Sequence, residues 1–197
     1  MLFRSAKAKA LAIPIAELMR RGAKQYQAVA DKDLEMLADA ARDVIVPESS
    51  IIIEYLARHY PGPAPLLPAD PDAARRVRLA DRFYDLYVHN PMQKIVGDRL
   101  RPADAKDPHG VAEARAALAL AYGMIERDMA AKTWAMGDAF TLADCAAAPA
   151  LYYANAVQPF GTEHGAVKAY LARLTARPTF ARVVEEAEPY FQYFPRG

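Results

Sequence analysis

A single cysteine in 197 residues rules out an internal disulfide framework. Cys145 lies in an apolar stretch, where it reads as a small buried hydrophobe rather than a nucleophile, as suits the reducing cytoplasm. No apolar run approaches the roughly 20 residues of a membrane span. The N-terminus alternates basic and small residues without the apolar centre of a signal peptide, so a soluble cytoplasmic protein with no membrane partner is expected. Charge of one sign is lacking too. Twenty-five basic and 24 acidic side chains leave a formal charge of +1 with no basic or acidic run, which argues against nucleic acid as a partner. His59, His89, His109 and His164 have no ligand-like spacing to one another or to Cys145, so no metal is expected. Glycine-rich phosphate loops, a serine-hydrolase elbow and internal repeats are absent.

From Pro71 onward there are almost no β-branched alternating segments. That part reads as all-α, with helices over Ala73 to Val88, Val111 to Lys132, Leu142 to Ala154, Ala166 to Ala176 and Phe180 to Ala187. Asn90-Pro91, Gly137, Gln158-Pro159 and Arg177-Pro178 are the expected interruptions. Arg75, Arg76, Arg78 and Arg82 with Asp81 and Asp85 form a charged stripe opposite Leu79, Phe83 and Leu86, read as a solvated or interdomain face. Between Tyr60 and Pro71 the prolines exclude helix and central strand, marking a linker. Upstream, Asp43 to Pro47 reads as a short strand, and Glu48-Ser49-Ser50 leads into a helix over Ile51 to Arg58 with one apolar face.

The most specific motif is Gly137 to Asp144. Thr141 and Asp144 stand three apart as a capping box with Asp in place of Glu, and Phe140 takes the staple position. The apolar run from Cys145 to Tyr153 follows, so this cap belongs deep in a core. These residue types, in this order, resemble the N-capping box and staple that open the central helix of the C-terminal domain in cytosolic glutathione transferases. The strand, helix and linker from Asp43 to Pro68 resemble the end of that family's thioredoxin-like domain and its interdomain connection.

The resemblance implies an α+β fold: a truncated thioredoxin-like domain over residues 1–60, a proline-rich linker over 61–71 and an all-α domain over 72–197. It is strong from Asp43 to Gly197 and weakest over the first 42 residues. It implies glutathione as co-substrate, an apolar electrophile as the second substrate, and a homodimer formed across the first helices of the all-α domain and the thioredoxin-like domain. Glu48 and Ser49 occupy the place where the family holds the glutamyl end of glutathione. A helix N-terminus attracts a carboxylate, and Glu48 can pair with the ligand's amino group. The alternative is that Glu48 with Ser49 or Ser50 merely caps the helix. Ser5 is the positional candidate for stabilising the glutathione thiolate, against an exposed serine on a frayed terminus. In place of the family's cis-proline stands Glu35 or Met36. Tyr84 and Tyr87 are candidates for the electrophile pocket, or else core and rim residues. The aromatic tail Tyr190 to Phe194 must dock, either on the helical domain or over a ligand pocket.

A non-catalytic binding module that keeps the helical domain is the rival reading.

Overall fold

The computed structural model describes residues 36–62 and 64–195. The chain divides into two units, Met1–Leu66 and Leu67–Gly197. Ser5 and Glu35 lie outside the described residues.

In the first unit, strands β1 (Met36–Asp39) and β2 (Val44–Pro47) pair antiparallel, with Leu37 opposite Val46 and Asp39 opposite Val44. Leu37 and Val46 are buried on one face, as period-two alternation requires. The turn between the strands closes through Asp43 at φ 55. Helix α1 (Ser49–His59) follows after a single residue, Glu48, and none of its residues is fully buried.

The second unit is helical: α2 (Pro71–Phe83), a π-helical segment (Tyr84–His89), α3 (Asn90–Arg99), α4 (Pro108–Met129), α5 (Leu142–Val157), α6 (Gly165–Ala176) and α7 (Pro178–Ala187). Helix starts are set by local chemistry. Asp70 accepts from the Ala73 amide at 2.7 Å ahead of Pro71, and Asp107 from the Gly110 amide at 2.9 Å ahead of Pro108. The core gathers around Leu118, Tyr122, Leu151, Val167, Tyr170 and Leu174.

Two expectations about the first long helix are corrected. The chain does not turn at Asn90-Pro91: it stays helical, and the Asn90 amide bonds to the Asp85 carbonyl, five residues back. The wider π turn makes room for a proline that lacks an amide and would collide with the preceding turn of an α-helix. The charged stripe is not a uniform outer face either. Ala74, Val77, Asp81, Tyr84 and Val88 recur at steps of three and four and are all buried, so Asp81 sits on the core side while Leu79 and Leu86 are exposed. The arginines drew attention to the wrong face because Asp81 interrupts an otherwise apolar period.

Gly137 closes a tight turn at φ 114, its backbone exchanging two hydrogen bonds with Trp134 at 2.7 and 2.9 Å. The aromatic tail docks on the helical unit. Phe191 stacks on Tyr153 and Phe194, and the Arg99 guanidinium donates to the Pro195 and Val157 carbonyls at 2.8 and 3.5 Å.

Candidate functional site

The handover from β2 to α1 carries the most unusual backbone among the described residues. Glu48 has φ 69 and ψ 125, a region that side-chain-bearing residues rarely adopt. Holding such a residue costs of order 1–3 kcal/mol, and strain of this kind collects at ligand sites. Its side chain is exposed and makes no capping hydrogen bond. The first intrahelical bond runs from the Ile52 amide to the Glu48 carbonyl at 2.8 Å, so the amides of Ser49 and Ile51 lie outside the helix's own ladder. The bent backbone therefore presents a carboxylate beside a helix N-terminus, a cation site next to an anion site. An α-amino acid group carries both charges.

At the turn end of the hairpin, opposite Val44, Asp39 is buried. Its Oδ2 accepts from the Tyr55 and Tyr60 hydroxyls at 2.6 and 2.7 Å, and its Oδ1 from the Ala41 amide at 3.1 Å, with Arg42 Nε 3.7 Å away. The two phenols, Tyr55 first, hold the Asp39 carboxyl below the usual range. Burial and then the Asp39 bond push Tyr55 up to about 12, while Tyr60 is raised chiefly by its bond to Asp39. Sequence reasoning missed this cluster. An aspartate closing a hairpin strand reads as a turn residue, and its tyrosine partners stand 16 and 21 residues downstream.

Tyr84 and Tyr87 belong to the second unit, Glu48 and Ser49 to the first. Tyr87 is 57% exposed and rests against Phe83, whereas Tyr84 is 5% exposed within the core. Burial raises the Tyr84 hydroxyl's pKa. It shares a hydrogen bond with Tyr170, whose hydroxyl also donates to Asp144 Oδ1 at 2.6 Å.

Asp144 is the polar centre of the helical unit. Its Oδ1 also takes the Ala135 amide at 2.8 Å, and its Oδ2 takes the Thr141 amide at 2.8 Å and the Thr141 hydroxyl at 3.2 Å. Thr141 is the N-cap of α5 and Asp144 its third residue. Phe140 meets Trp134 edge to face and lies 3.6 Å under the Arg177 guanidinium. Among the described residues no group of three or more His, Cys, Asp or Glu is placed to hold a metal, and no helix is long and apolar enough to cross a membrane.

Comparison with known proteins matches residues 85–178 to the glutathione S-transferase C-terminal domain. A glutathione S-transferase of Methylobacterium radiotolerans, solved in complex with glutathione sulfonate, is 30% identical and superposes with a TM-score of 0.66, over 79% of this chain and 73% of that one. The chain belongs to the glutathione S-transferase family. It has the glutathione transferase fold, with a small two-stranded sheet ahead of a helical C-terminal domain. Among curated relatives of this family, a stringent starvation protein A homologue of Haemophilus ducreyi is 32% identical over 75% of this chain and 66% of its own length. The FtsZ-localized protein A of Caulobacter vibrioides is 29% identical over 75% and 67%. The chain spans between about half and two thirds of the length of the first curated relatives it matches.

Proposed function

We propose that this glutathione transferase-family protein binds glutathione at the start of α1 and conjugates it to an apolar electrophile. The observation that carries the reading is the strained, uncapped Glu48 ahead of a helix N-terminus. The glutamyl carboxylate would take the Ser49 amide and hydroxyl, and Glu48 the α-amino group. The domain plan proposed is a partial thioredoxin-like domain over residues 1–60, a linker over 61–71 and a helical domain over 72–197. Ser5 is proposed to stabilise the thiolate, and Tyr87, with Tyr84 behind it, to meet the electrophile. A lowered thiol pKa is what makes glutathione reactive, so Ser5 carries the chemistry and Glu48 the binding. A cytoplasmic homodimer with a detoxifying role completes the proposal. The exposed Leu79 and Leu86 of the first long helix supply an apolar face for the second copy.

A non-catalytic interaction module is the second reading, favoured by relatives whose names record starvation and FtsZ localisation rather than transfer chemistry. Retention on immobilised glutathione with turnover of a chlorodinitrobenzene supports the enzyme. Loss of both supports the module. Ser5→Ala then tests the thiolate role: at least a tenfold loss of turnover with glutathione affinity kept supports it, and unchanged turnover removes it.

A further inference from the structure

We propose that Asp39 is a positioning residue for the glutamyl cradle: by accepting from Tyr55 and Tyr60 it sets the pitch of α1 on the hairpin and with it the place of the Ser49 amide. The inference rests on the glutathione-site reading above.

Helix α1 contains no fully buried residue and its residues 52–57 are half-buried, so its apolar packing, which is non-directional, leaves its exact pitch to directional contacts. The Asp39 cluster is directional. One carboxylate oxygen holds the helix through Tyr55 and the residue just past its end through Tyr60, while the other oxygen is tied to the hairpin turn at Ala41. Bonds to a charged acceptor are about twice as strong as neutral ones, and this one is shielded from water. Tyr55 stands six residues, about 9 Å of helix, from Ser49. A tilt of about 10° at the Tyr55 end therefore moves the Ser49 amide by about 1.5 Å, enough to break a hydrogen bond to a ligand. The Asp39 carboxylate touches no part of the proposed ligand site, so its action on binding passes through the helix.

The test uses the full chain carrying Tyr55→Phe, Tyr60→Phe, Asp39→Leu or Asp39→Asn. Glutathione binding is measured by titration calorimetry, and amide hydrogen exchange is followed over residues 52–59. Asp39→Leu and Tyr55→Phe are expected to weaken glutathione about tenfold and to speed exchange along α1, with the unfolding transition of the helical unit unchanged. Asp39→Asn keeps an oxygen that both phenols can reach and is expected to restore affinity to within about threefold, a rescue that general destabilisation would not produce. Tyr60→Phe removes one oxygen from a half-exposed ring, so it tests the bond with the fold least disturbed. Unchanged affinity in Tyr55→Phe and Tyr60→Phe overturns the inference. Should the wild-type chain bind no glutathione, the cradle reading fails by itself. Exchange then decides the role of Asp39: faster exchange over residues 52–59 supports its hold on α1, and unchanged exchange overturns it.

Discussion

Replacing Asp144 by alanine should cost the helical unit far more than the loss of a helix cap. The carboxylate is fully enclosed and accepts from Thr141 N, Thr141 Oγ1, Ala135 N and Tyr170 Oη, all between 2.6 and 3.2 Å. An N-cap change alone costs about 1 kcal/mol. Here at least three donors, on the turn before α5, on its N-cap Thr141 and on α6, would be left buried without an acceptor. Each such loss costs roughly 1–3 kcal/mol, offset in part because the buried charge and its desolvation penalty go as well. The net expectation is about 3–5 kcal/mol. Against a typical total of about 5–15 kcal/mol, that leaves a marginal fold. Trp134, the chain's one tryptophan, lies beside Phe140 in the same turn, so urea unfolding followed by its fluorescence reads the site directly. A loss of about 1 kcal/mol or less in Asp144→Ala would refute the reasoning, since it would mean that the three donors find water or other partners.

Other substitutions probe other parts of the account. Glu48→Gly should relieve the φ 69 strain and raise stability by about 1 kcal/mol while weakening glutathione at least tenfold; a loss of stability would show that the backbone is not strained. Glu126 accepts from the Ala166 and Val167 amides at 3.0 Å each. Burial opposes its ionisation, but those amides hold its pKa below normal. Its contribution is therefore full above the unfolded value of about 4.3 and is lost as pH falls through the lower folded one. Glu126→Gln should flatten the stability profile below about pH 4, and an unchanged acid limb would contradict that role. Arg177→Ala removes the cation over Phe140 and Trp134 and should shift tryptophan emission with a loss of about 1 kcal/mol; unaltered emission would deny the contact.

The legible parts of the chain were those governed by local rules. The helix start at Thr141, the turn at Gly137 and the short strand before Glu48 follow from caps, glycine freedom and β-branched runs within a few residues of one another. The π turn at Asn90-Pro91 was hidden because proline signals a break equally well whether the helix ends or widens. Asp81 was misplaced because charge outweighed its position in the 74, 77, 81, 84, 88 series. The Asp39 cluster depends on contacts made across the hairpin and along α1, distances at which a sequence alone carries no pairing signal. At the candidate site the residue types at 48 and 49 are readable in the sequence, but the positive φ of Glu48 and its lack of a capping bond exist only in the folded backbone.

The most direct measurement is an amide NMR titration of the full chain with glutathione. The account predicts that the Ser49 and Ile51 amides show the largest shifts, and that these disappear in Glu48→Gly. Shifts centred elsewhere, or none at the start of α1 at saturating glutathione, would contradict it.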